Sequence, residues 1–97
     1  MENNQTVIQH WLELQLKNMR TVEIAYLFGS FVSCLNYRDV DVLLIFNQYD
    51  VREQLRSLKR NFSQKFGVIL HPQLFHLSDL DEYKLFLTRN ADAKRIK

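Results

Sequence analysis

Two aspartates one residue apart, Asp39 and Asp41, stand in the run RDVDVLLIF and are the first candidates for chemistry. The residues after them are rich in Val, Leu and Ile, which reads as a strand from Val40 to Phe46. Side chains at i and i+2 of a strand point to one face, so the two carboxylates share a face and Val40 and Val42 take the other. Like charges held that close repel, and a divalent cation removes the repulsion. Mg2+ takes one or two carboxylates and completes its shell with phosphates and water. Upstream, the apolar run Val22 to Phe28 (VEIAYLF) ends at Gly29-Ser30. A glycine at a strand-to-helix turn lets backbone N–H groups approach a phosphate, and a helix start favours its charge. Together these are parts for transfer from a nucleoside triphosphate, which runs on positioning and charge neutralisation. An Asp-x-Asp alone is also common where a turn enters a solvated strand. A lone Gly-Ser is less specific still, and the combination in its strand context carries the signal.

The elements that must position these residues follow from periodicity. Thr6 to Met19 reads as a helix, with Val7, Trp11 and Leu14 on one stripe and Ile8 and Leu12 beside them. Val22 to Phe28 is a buried strand, and Ser30 to Leu35 has room for one or two helical turns. Asp50 to Phe66 is the clearest helix: Val51, Leu55, Leu58, Phe62 and Phe66 form an apolar stripe. Gly67 is its stop. Val68 to Leu77 is a third strand, with Pro72 marking an edge or a bulge. Ser78 reads as the N-cap of a last helix running to Thr88, with Asp79, Asp81 and Glu82 in its first turn. Residues 1–5 and 89–97 read as polar, flexible ends of one domain spanning 1–97. The fold class is α/β (α+β): a small mixed sheet of three to four strands with helices packed against it.

Bulk properties narrow the field further. Ninety-seven residues suffice for one domain and one modest core. The net charge of +2 is too small to mark a general nucleic-acid binder. A single cysteine, Cys34, excludes an internal disulfide and suits a reducing compartment. With no apolar run of about 20 residues and no leader pattern at the start, the expectation is a cytoplasmic protein without a membrane partner.

The segment FGSFVSCLNYRDVDVLLIF, Phe28 to Phe46, resembles the signature of the nucleotidyltransferase superfamily related to DNA polymerase β. It is most similar to the minimal nucleotidyltransferase domains of bacteria and archaea, and the order of elements extends the resemblance over nearly the whole chain. The resemblance implies that Gly29 and Ser30 contact nucleotide phosphates and that Asp39 and Asp41 bind Mg2+, or Mn2+, as the catalytic pair. It implies an NTP substrate and transfer of a nucleotidyl group to a hydroxyl of a protein, nucleic acid or small molecule. It also implies a protein partner or a homo-oligomer, because minimal members are often paired with a helical protein in toxin–antitoxin modules.

The sequence departs from that pattern in three places. Active members carry a third carboxylate on the next strand, whereas VILHPQLFHLS, Val68 to Ser78, has none. His71 and Gln73 are its nearest polar substitutes. A neutral imidazole is a poor Mg2+ ligand; His71 could serve as a base or simply be a polar residue at a sheet edge. Arg38 stands before Asp39, where serine is common; it could contact a phosphate or pair with the aspartates in place of metal. Ser33, Cys34 and Leu35 replace a further glycine and a basic residue, and Cys34 reads as a packed residue. The missing carboxylate supports an alternative, a binding or regulatory protein on the same fold with catalysis lost, such as an antitoxin-like half of a two-protein module. A third reading, nucleic-acid binding through Arg52, Arg56, Lys59 and Arg60, competes with a merely solvated helix face. Tyr37 and Tyr49 are the aromatics expected near a ligand, while His10 and His76 are too isolated to suggest a metal site.

Overall fold

A computed structural model describes residues 5–33 and 36–97. Helix α1 (Gln5–Lys17), strand β1 (Val22–Phe28), the short helix α2 (Ser30–Ser33) and strand β2 (Asp39–Phe46) form the first half. Helix α3 (Arg52–Phe66), strand β3 (Ile69–His76), helix α4 (Leu80–Arg89) and strand β4 (Lys94–Arg95) form the second. The four-stranded sheet has the order β3-β2-β1-β4. β1 runs antiparallel to β2 and to β4, and β2 runs parallel to β3, so the sheet is mixed, as expected. A parallel pair needs a long crossover, which α3 supplies. Pro72 lies on the edge strand β3, where its missing N–H costs no ladder bond on the outer side.

Strand alternation divides the sheet into two unlike faces. Val40, Val42, Leu44 and Phe46 join Ala25, Leu27 and Leu70 in the main core, beneath Ile8, Leu12 and Leu16 of α1 and Leu58, Phe62 and Phe66 of α3. Trp11 locks the two helices together, edge-on to Phe62 and Phe66 at 5.8 and 5.6 Å. On the opposite face of β2, Asp39 and Asp41 are followed by Leu43 and Ile45, both fully buried. Helix α4 packs on this second face, with Phe86 edge-on to Phe28 at 4.8 Å and to Phe75 at 6.0 Å.

Three elements differ from the sequence reading. In α1 the buried stripe is Ile8, Leu12 and Leu16, while Leu14 is 48% exposed and Val7 also faces solvent. Two overlapping apolar stripes fit the same helical period, and only the sheet chooses between them. The last helix starts after Asp79, not Ser78. Ser78 instead bonds the His76 ring, with Oγ 2.8 Å from Nδ1, and the Asp79 carboxylate accepts the His76 N–H at 3.0 Å. The tail read as free is paired: Lys94 and Arg95 add strand β4 beside Leu27 and Tyr26. Ile96 donates its N–H to the Ala25 carbonyl at 2.8 Å. The Lys97 ammonium donates to the carbonyls of Leu16 and Met19, at 2.6 and 2.9 Å, where α1 ends. Carbonyls at a helix C-terminus favour a cation, and burial pulls the Lys97 pKa down.

Phe62 is fully buried between the helices. Phe62→Ala is therefore expected to cost about 3–5 kcal/mol. That lowers the thermal midpoint by at least about 12 °C in a domain of this size. Leu14→Ala, on the solvent side of α1, should change stability by less than about 0.5 kcal/mol. Thermal unfolding followed by circular dichroism compares the two, and equal losses would contradict the assignment of the buried stripe.

Candidate functional site

The two aspartates open the uncovered end of the second face. Both are partly exposed, at 30% for Asp39 and 27% for Asp41. In register, Asp41 lies between Phe28 on β1 and His71 on β3. His71 points to the same side, with Nδ1 3.1 Å from Asp39 Oδ2 and 3.9 Å from Asp41 Oδ1. The donor atoms of the three residues all lie within 4.8 Å of one another. Gln73 is opposite Leu43, a further step along the strand, so His71 alone of the two polar substitutes reaches the carboxylates.

The Gly-Ser turn is fitted to this pair. Gly29 has φ +73°, a left-handed conformation open to glycine and costly for other residues. A side chain there would also collide with Asp41, because an added Cβ would lie 2.5 Å from Asp41 Oδ2. The turn thus lays backbone against the carboxylate and starts α2 at Ser30. Val32 and Ser33 both donate their N–H groups to the Gly29 carbonyl, at 3.1 and 3.3 Å, closing the turn. The Gln5 side chain donates to the Phe31 carbonyl and ties α2 to α1. Phe31 is buried in the core and stacks edge-on against Tyr37 at 4.8 Å.

The electrostatics follow from this crowding. Burial pushes the Asp41 carboxyl above its usual pKa, the Asp39 charge pushes it the same way, and His71 opposes both. A divalent cation would relieve this strain, and the partly exposed carboxylate pair on one face suits Mg2+ or Mn2+ together with phosphate oxygens. The two carboxylates fit the ion that the resemblance implies, whereas the imidazole beside them does not match its preference for oxygen.

The remaining sequence candidates separate clearly. Gly29 is brought against Asp41, and Ser30 follows it as the first residue of α2. Arg38 is exposed and, among the described residues, makes no ion pair with Asp39 or Asp41; the side chain that approaches both is His71. Cys34 and Leu35 lie outside the described residues. Tyr37 is half-buried, and burial pushes its hydroxyl pKa up. Tyr49 is exposed at the far end of β2, stacked on His76 at 3.9 Å, and is not brought to the aspartates. On α3, Arg52 pairs with Asp50 and Arg56 with Glu53, which partly neutralises the basic face. His10 sits near Glu13 on α1. His71 is the site residue that sequence marks least clearly, since a polar residue at a sheet edge fits it equally well. The signal that singles it out is parity: the parallel crossover aligns β3 with β2, so one residue of β3 on this face must stand beside Asp41.

Solved structures share this arrangement of elements. A tri-AMPylated Shewanella oneidensis HEPN toxin in complex with an MNT antitoxin contains a chain that aligns at a TM-score of 0.61 and 16% identity, over 96% of this chain and 71% of that one. A mutant of the toxin–antitoxin pair MntA–HpeT, with two aspartates changed to glutamate, aligns at 0.60 and 13% identity, over 93% and 71%. A Sulfolobus solfataricus protein assigned to the nucleotidyltransferases aligns at 0.51 and 16% identity, over 94% and 80%. At these identities the likeness establishes the fold, and the chain has a minimal nucleotidyltransferase fold. Neither a protein-family model nor a curated protein matches the sequence. Among the described residues, no helix is long and apolar enough to cross a membrane.

Two outcomes are expected of the site. Gly67 also has positive φ but nothing lies within 4 Å of an added methyl, so Gly67→Ala should cost about 1–2 kcal/mol. Gly29→Ala should cost more, because it must also displace Asp41; urea unfolding of both variants measures the difference. The second outcome concerns pH. The folded-state pKa of Asp41 lies above its unfolded value, so its contribution is intact below about pH 3.9 and is lost as the pH rises through the folded value. With chelator present, Asp41→Asn should therefore be more stable than wild type at neutral pH, and the gap should close on acidification. A gap that widens toward low pH in urea titrations would reverse the assigned sign.

Proposed function

We propose that this protein binds a nucleoside triphosphate with a divalent cation and transfers a nucleotidyl group to a hydroxyl acceptor on a partner protein. The observation that carries the reading is the meeting of Asp39, Asp41 and the Gly29 turn at the open end of one sheet face. Asp39 and Asp41 would hold the cation. Bound there, it supplies charge neutralisation on the triphosphate. Gly29 and Ser30 place backbone and a hydroxyl at the start of α2, where phosphate oxygens are favoured. Arg38, exposed directly before Asp39, would offer a guanidinium to the same phosphates. In the transfer the acceptor oxygen bonds the α-phosphorus, the bond from that phosphorus to the leaving pyrophosphate breaks, and the hydroxyl proton passes to water. The toxin–antitoxin neighbours, one of them with an AMPylated toxin, favour a protein acceptor and a two-protein module.

One observation favours a second reading, a nucleotide-binding or regulatory protein whose chemistry is lost. His71 stands where a third carboxylate would, beside Asp41 on the neighbouring strand.

Labelled ATP, CTP, GTP and UTP distinguish the two, each incubated with Mg2+ or Mn2+ and the co-purified partner. Transfer predicts covalent label on the partner, reduced by more than about a hundredfold in Asp39→Ala and Asp41→Ala. Cation-dependent binding without label would leave the second reading, and absence of both binding and label would sink nucleotide chemistry altogether.

A further inference from the structure

The donor set at the open end of the sheet is mixed, two carboxylates and one imidazole. We propose that His71 supplies a third ligand through Nδ1 and shifts the site's preference away from Mg2+, toward borderline first-row cations such as Co2+ and Zn2+. The inference rests on the reading that Asp39 and Asp41 hold a cation.

The geometry supports direct ligation. Nδ1 already faces both carboxylates, 3.1 Å from Asp39 Oδ2 and 3.9 Å from Asp41 Oδ1. Donors bonded at about 2.1 Å in adjacent positions of an octahedron stand roughly 3 Å apart. Small rotations of the three side chains would therefore bring them around one ion. The backbone keeps all three in place, because Asp39 and Asp41 alternate on β2 and His71 is locked opposite Asp41 by the parallel register. The ring lies on an edge strand with its side chain 57% exposed, so it can turn without disturbing the core.

The chemistry sets the direction of the preference. Mg2+ is a hard ion that seeks oxygen and gains little from an imidazole. Borderline ions bind nitrogen well, and their affinities for a mixed nitrogen and oxygen set rise along the first row. Against a three-carboxylate site of the same shape, this one forfeits a negative charge that Mg2+ would use. It gains a nitrogen that Co2+ or Zn2+ would use. An Nδ1 that ligates a metal cannot also carry a proton facing Asp39, so metal entry would need that nitrogen free of its proton.

Calorimetric titration of the untagged protein with CoCl2 and separately with MgCl2 tests this, alongside NMR of the ring protons of His10, His71 and His76. His71→Ala should weaken Co2+ binding by about tenfold or more and leave Mg2+ within about twofold. His71→Asp should raise Mg2+ affinity and lower the Co2+ to Mg2+ ratio. In the wild type, Co2+ should shift the His71 ring signals first, a readout that depends on no variant folding. If His71→Ala leaves both affinities unchanged, or lowers both equally, the imidazole is not a selective ligand and the inference is wrong. If Asp39→Ala still abolishes Mg2+ binding in that case, the cation reading itself stands. If the wild type binds neither ion, the inference falls and the cation reading loses its support with it.

Discussion

The carboxylate of Asp41 occupies the space that a side chain at position 29 would need. That single exclusion organises the site. It requires glycine, and glycine in turn tolerates the left-handed backbone that ends β1 and starts α2. The turn then brings the first residues of α2 beside the acidic strand, and the pairing of Phe28 with Asp41 fixes how far along β2 this happens. Motif spacing is thus the sequence trace of one close contact.

Strand β2 has to serve two ends at once. One face is apolar throughout and anchors both α1 and α3 through Val40, Val42, Leu44 and Phe46. The other changes character halfway, from Asp39 and Asp41 to Leu43 and Ile45. Helix α4 packs on this face through Phe86 against Phe28, beside Asp41, and Phe75, beside Ile45, while both aspartates stay partly exposed. The rigid packing of one face therefore holds the carboxylates of the other. Functional groups on strands backed by a packed core are more precisely held than groups on loops.

Much of this was legible in the sequence because it depends on local period. Alternation put Asp39 and Asp41 on one face, and the stripe from Val51 to Phe66 defined α3, ending at Gly67 with φ +68°. What local period could not decide was anything set by a distant partner. Leu14 and Leu16 are equally apolar, and only the sheet beneath α1 buries the second. Lys94 and Arg95 look like a solvated tail, yet the free edge of β1 offers them a ladder and α1 offers Lys97 two carbonyls. Ser78 has the chemistry of an N-cap, but the neighbouring His76 ring takes its hydroxyl first. His71 belongs to the same group: its sequence neighbours are apolar, and its partners lie on a strand joined to it by a whole helix.

The place of His71 bears on how far the fold implies the chemistry. Two carboxylates in one partly desolvated corner need positive charge nearby, and the rise in the Asp41 pKa records that need. A third carboxylate in that place would add to the need, to be met by an entering cation, a proton or a basic side chain. Here the protein carries a partial answer of its own, since His71 lowers the pKa that burial and Asp39 raise. An imidazole in that position lets the domain keep its acidic pair without a permanent ion. The likeness of fold therefore leaves the chemistry of this corner to one side chain at the edge of the sheet, where His71 stands near both carboxylates.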